Sequence, residues 1–273
     1  MQISDIPTRR PDACARAEWD LILGDGPVIA TAIHDGHEVR PSLQPWLAIS
    51  EDERRREEDP LTGLLTVVGD VRIQTHASRF EVDFNRPREK AMSTDPADTW
   101  GLQVWRDGLA ESERERSLAA HDRFYAMMRE LIDSQLARWG SLLLIDIHSY
   151  NHRRDGVDAA PAPQRDNPDI ELGVTTLDPR RWGKVASRFA DTLRATPIAG
   201  RNPDVRENVR FPTGGYFPQW VYATWGERVC TISPEYKKIY MDEWTAQADI
   251  AVIEDLRLGL RDAVDAIRGE FGR

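Results

Sequence analysis

Cysteine is nearly absent: the 273 residues hold two, Cys14 and Cys230. A disulfide framework is excluded, and a single bond is not expected in a reducing compartment. No segment approaches the roughly 20 apolar residues of a membrane span. The first twenty residues, MQISDIPTRRPDACARAEWD, contain no apolar stretch of signal-peptide length. Together these absences predict a cytoplasmic protein without a membrane partner. Positive charge is also short, with 36 Lys and Arg against 46 Asp and Glu, a formal net charge of -10. Such a surface repels phosphate backbones, so no nucleic-acid partner is expected. The one basic run, Arg54-Arg55-Arg56, is flanked by acids on both sides. Internal repeats and low-complexity segments are missing, and nothing in the chain sets an oligomeric state.

What is present suits a globular enzyme-sized domain: hydrophobic residues make up 40% and charged residues 30%. Residues 1–17, polar and with two prolines, read as a flexible leader. Residues 18–273 read as one domain. Two apolar runs, Trp19–Leu23 and Pro27–Ile33, flank Gly24-Asp25-Gly26, a hairpin or tight-turn signal. Pro27–Ile33 and Ser141–Ile147 are almost continuously apolar, as expected of strands buried on both faces. Val71–Thr75 and Arg79–Phe84 read as further strands, the second by its alternation of Phe80, Val82 and Phe84 with Arg79, Glu81 and Asp83. The spacing of Leu118, Phe124, Met128, Leu131 and Leu136 predicts a helix over Glu111–Trp139, stopped by Gly140. A weaker helix is expected over Asp178–Ala195, a short strand over Arg228–Ser233 and a long helix over Glu243–Phe271. The Glu51–Asp59 charge run reads as a solvated helix or loop, and 202–218 as a loop centred on Gly214-Gly215. Strands alternating with helices predict an α/β domain with a mixed, mostly parallel sheet.

Both continuous strands run directly into histidine, His34 after the first and His148 after the second. In an open sheet, strand ends converge on one crevice, and imidazole is the commonest zinc ligand among nitrogen donors. A catalytic zinc needs three protein ligands and one open position. With both cysteines isolated, the third ligand must be a carboxylate, and Glu57-Glu58-Asp59 is the obvious source. Asp146 lies two residues before His148, on the same side of an extended strand, where it suits a hydrogen-bonding partner for the ring. Glu235 follows a strand and could serve as a general base. Asn85 and Arg86 end another strand and could grip a substrate carboxylate. Ordinary salt bridges use the same residue types.

The segments AIHDGHEVRP, REEDPLT, SRFEVDFNRP, LLIDIHSY, FPTGGYF and ISPEYKKIYMDE, in this order over about 28–243, resemble the N-formylglutamate amidohydrolase family. That family is related to zinc carboxypeptidases and aspartoacylase-like deacylases. The resemblance implies a three-layer α/β/α fold, phosphorylase/hydrolase-like, with 18–273 as the catalytic domain. It implies one Zn2+ ion held by His34, His148 and an acid of the REEDP segment, Asp59 or in its place Glu58. It further implies Asn85, Arg86 and Arg79 at a substrate carboxylate, Gly215 (with Gly214) in a loop close to the substrate, and Glu235 as the base. The wider superfamily often has glutamate three residues after the first histidine; here that position is His37, which could itself be a ligand or line the cleft. The implied reaction is hydrolysis of the acyl amide of a small acidic N-acyl amino acid, N-formyl-L-glutamate first. A carboxypeptidase-like peptidase keeps the metal and changes the substrate. A binding protein on the same scaffold is the alternative from another class.

Overall fold

The computed structural model describes residues 17–272. The expected leader, apart from Ala17, and Cys14 lie outside the described residues. In chain order the elements are β1 (Trp19–Ile22), β2 (Val28–Ala32), α1 (Glu51–Glu57), β3 (Val71–Thr75), α2 (Glu111–Trp139), β4 (Leu142–Asp146), β5 (His148–Tyr150), β6 (Ile170–Gly173), α3 (Pro179–Ala195), β7 (Val205–Glu207), α4 (Tyr216–Trp225), β8 (Val229–Lys237) and α5 (Ile250–Arg268). The strands form one eight-stranded sheet in the order β1-β3-β2-β4-β8-β6-β7, with β5 also paired to β8. It is mixed: β1 runs antiparallel to β3 and β6 antiparallel to β8, and the remaining pairs are parallel.

The period of two along each strand divides the core. Val28, Ala30, Leu143, Ile145 and Ile232 face α3 and α5, meeting Phe189, Leu256 and Leu260. Ile29, Ile73, Leu142 and Leu144 face α2 and α4, meeting Phe124, Ile132, Phe217 and Val221. With helices on both faces the fold is the expected three-layer α/β/α sandwich. It also explains why β2 and β4 read as nearly unbroken apolar runs: Val28 to Ala30 and Leu142 to Ile145 enter the two cores in alternation. Burying one such Leu or Ile contributes about 1.5–3 kcal/mol. Val39, Leu43, Phe80, Met92, Val104 and Trp105 form a third cluster apart from the two that flank the sheet.

Several elements depart from the sequence reading. The Gly24-Asp25-Gly26 turn does not close a hairpin: β1 pairs with β3, because the parallel β2 is already flanked by β3 and β4. Arg79–Phe84 is a turn, closed by the amides of Glu81 and Val82 on the Ser78 carbonyl. Its charged residues are not a solvated face, since Glu81 takes hydrogen bonds from Arg40 and Asp83 is buried against His34. The charge run is a helix opened by a capping box between Ser50 and Glu53, yet Arg54 and Glu57 are buried. Helix α4 arises within and beyond the expected 202–218 loop. The last helix starts later than expected, at Ile250, where the Asp249 carboxylate caps the amides of Ala251 and Val252. By contrast, α2 has the expected bounds and ends on Gly140 at φ 75°.

Candidate metal centre and substrate cavity

The carboxyl ends of β2, β3, β4 and β8 share one edge of the sheet, and the polar groups gather there. His34 follows β2, Asp59 follows α1, and His148 opens β5; all three are buried. Each offers one donor atom within 4.8 Å of the others. Asp59 Oδ2 lies 3.4 Å from His34 Nδ1 and 3.0 Å from His148 Nδ1. Tetrahedral coordination with bonds of about 2.0–2.1 Å spaces its donors about 3.3 Å apart. The two edges at Asp59 match that spacing, and no edge exceeds 4.8 Å, so the three donors can face one small divalent cation.

The far side of each ring is fixed by another acid. His34 Nε2 lies 2.7 Å from Asp83 Oδ1, and His148 Nε2 lies 2.9 Å from Asp146 Oδ2. An ionised carboxylate only accepts, so these contacts place a proton on each Nε2 and direct each Nδ1 toward Asp59. His34 Nδ1 is buried with no hydrogen-bond partner among the described residues. That orphaned nitrogen, beside a buried acid and a second imidazole, fits a metal ion. The electrostatics keep the acid ionised. Burial pushes the Asp59 carboxyl up, but His148 and His34 outweigh it and hold the group well below its ordinary range. Burial lowers His148, but Asp146 and then Asp59 outweigh that and hold it well above. The cluster thus pairs buried negative charge with positive charge at a shared point.

Local structure explains why Asp59 is the acid that turns inward. Its amide donates to the His34 carbonyl at 2.9 Å, and the Thr62 hydroxyl holds its own carbonyl at 2.7 Å. The next residue but one, Leu61, turns the chain at φ 70°. Glu58 faces the opposite way, taking hydrogen bonds from Arg54 and Ser78. Burial raises it to about 7. Glu57 is held by a two-pronged contact with Arg154 at 2.8 and 3.0 Å. His37 is exposed and outside the triangle.

The triangle forms the floor of a cavity of about 530 Å³, lined among others by Asn85, Arg86, Trp100, Tyr150, Arg210, Gly215 and Glu235. That volume suits a small molecule. Residues 26–241 match the sequence profile of the family described as N-formylglutamate amidohydrolase. This chain belongs to that family. No curated protein matches it. The fold is similar to the crystal structure of N-formylglutamate amidohydrolase from Ralstonia eutropha JMP134, with a TM-score of 0.71, 20% identity, and coverage of 93% of this chain and 100% of that one. It is also similar to a gene product of Agrobacterium tumefaciens, with a TM-score of 0.64, 19% identity, and coverage of 91% of this chain and 95% of that one.

Within this family member, Glu235 sits on β8 directly opposite His148 in the strand register. Burial raises its carboxyl to about 8; nearby His148 pulls it down, and Asp59 and Glu171 push it up. A carboxyl that titrates near neutrality can both take and return a proton. Asn85 lines the cavity, but its Oδ1 is occupied, accepting from the Phe217 amide at the start of α4. Gly215 is required there, since a Cβ would lie 2.2 Å from the Asn85 amide group. Arg79 lines the cavity too, yet its guanidinium is spent on Asp83 and the Glu57 carbonyl. It acts first as a support for Asp83. Arg86 is the freer of the two, with Asp83 only at 4.0 Å. Sequence reasoning missed Asp83, Arg154, Arg210 and Lys238. The available signal was weak: Asp83 stood beside the Asn85-Arg86 pair, and the others sat in loops or after a strand.

Among the described residues no helix is long and apolar enough to cross a membrane.

Proposed function

We propose that this chain is a zinc-dependent cytoplasmic amidohydrolase that converts N-formyl-L-glutamate to formate and glutamate. The observation that carries the reading is the pair of Nδ1 atoms turned onto Asp59 by Asp83 and Asp146. His34, Asp59 and His148 would hold the ion. When bound, it supplies Lewis acidity toward the acyl group and toward water.

The protein's own groups do the rest. Hydrolysis adds OH to the acyl carbon and H to the amide nitrogen, so one proton must travel from water to the leaving amine. In this reading Glu235 takes that proton and returns it to nitrogen. Arg86 binds a substrate carboxylate, and the Asn85 amide, anchored through its oxygen to α4, adds a donor. Trp100, Tyr150 and Phe211 supply the apolar part of the wall and limit water.

The test is metal content together with turnover. Zinc-loaded protein should hold about one ion and release formate from N-formyl-L-glutamate. Glu235→Gln should keep the ion and lose roughly 10²- to 10⁴-fold in kcat. Full activity in that variant removes Glu235 from the proton path. Wild-type protein that binds no zinc and hydrolyses no N-acyl amino acid contradicts the reading as a whole.

A further inference from the structure

Five cationic side chains besides the histidines line the cavity: Arg79, Arg86, Arg154, Arg210 and Lys238. Three are committed. Arg79 is held by Asp83, Arg154 by both oxygens of Glu57, and Lys238 by the carbonyls of Arg56 and Glu58. Arg86 has only a distant acid, at 4.0 Å. Arg210 makes no ion pair with any carboxylate among the described residues. Its Nη1 donates to the Asn167 side-chain oxygen at 2.6 Å, and its Nε is buried without a partner.

A guanidinium half-buried with an orphaned donor is costly unless a ligand completes it. Arg210 is also held firmly. Its guanidinium carbon lies over the Tyr150 ring, 4.9 Å from the centroid. Its own amide and that of Phe211 donate to the buried Glu171 carboxylate at 2.6 and 2.7 Å. This is a prepared donor rather than a surface arginine folded back on itself.

The two free arginines approach from different sides. Arg86 lies in the loop that follows β3, and Arg210 in the loop that follows β7. The strand order places β3 and β7 on opposite flanks of β2, β4 and β8, the strands that lead to His34, lie beside His148 and carry Glu235. A ligand spanning that distance over the triangle would meet a positive group at each end.

We infer that Arg210 is a second carboxylate-binding residue, gripping the side-chain carboxylate of an N-acyl dicarboxylic amino acid while Arg86 holds its α-carboxylate. The inference rests on the amidohydrolase reading for its substrate and sets which substrates that site selects. A neutral side chain would leave the Arg210 fork unmatched, so the corresponding amide should be a poor substrate.

The experiment compares N-formyl-L-glutamate with N-formyl-L-glutamine on the zinc-loaded enzyme. Calorimetric binding of L-glutamate and L-glutamine to the same protein runs alongside. Wild type should prefer the acid on the order of 100-fold in kcat/KM, the value of a charge-assisted contact. Arg210→Met should erase that preference through KM for the acidic substrate, with the amide substrate changed little. Arg210→Lys should restore part of it. Arg86→Met should depress both substrates alike. An unchanged preference in Arg210→Met, or equal loss for both substrates, overturns the inference and leaves Arg210 a support for the Tyr150 wall. Should wild type hydrolyse neither compound, binding separates the readings. Glutamate bound in an Arg210-dependent manner keeps the subsite and removes the hydrolase. Glutamate bound no better than glutamine removes the subsite.

Discussion

The two imidazoles of the centre reach one point by different constructions. His148 is braced by Asp146, two residues earlier at the end of β4, and that acid is itself held across the sheet by the Thr31 hydroxyl at 2.7 Å. This arm is made of paired strands, and the backbone ladder fixes both ring and brace. His34 is braced by Asp83, 49 residues away in a turn. That acid is kept in place by the Arg79 guanidinium at 2.9 Å and the Asn85 amide at 2.8 Å. The second arm therefore depends on side chains and loop packing. One imidazole is set by the sheet, the other by a network that can be loosened one contact at a time.

The largest effect expected is loss of a ligand outright. His148→Ala and His34→Ala should each abolish stoichiometric zinc, read by elemental analysis, with losses beyond the roughly 100-fold that outer partners command. Retention of a full equivalent by either variant removes that histidine from the ligand set. Removing the braces comes next. Asp83→Asn and Asp146→Asn should each weaken zinc about 10- to 100-fold in a competition titration. Thermal melts should then split them: Asp146 is fully enclosed by the sheet, so its variant should also lose about 1–3 kcal/mol of stability. Equal melts would erase the distinction between the arms. The smallest effect is expected from Arg79→Met, which leaves Asp83 its Asn85 contact. It should cost about tenfold or less in zinc affinity, and a loss as large as that of Asp83→Asn would make Arg79 the true anchor.

The same difference decides what the sequence could disclose. Asp146 was legible because a spacing of two on a strand puts side chains on one side. His34 and His148 were legible because each ends a continuous apolar run. Asp83 was hidden, since its alternation with Phe80, Val82 and Phe84 imitates a half-exposed strand, while the segment is a turn buried on both sides. The choice between Glu58 and Asp59 depended on which way one peptide turns after α1, set by a hydrogen bond to the His34 carbonyl that no local pattern encodes. Arg210 and Lys238 carried no periodic signal at all. Their meaning comes only from which acids they fail to meet, or which carbonyls they do.

Lys238, just beyond the end of β8, has its ammonium fastened to the carbonyls of Arg56 and Glu58. Burial lowers this lysine to about 8. Three residues before it, within β8, stands Glu235, and one residue past Glu58 stands Asp59. A single aliphatic side chain thus links the end of the strand that carries Glu235 to the turn that carries Asp59.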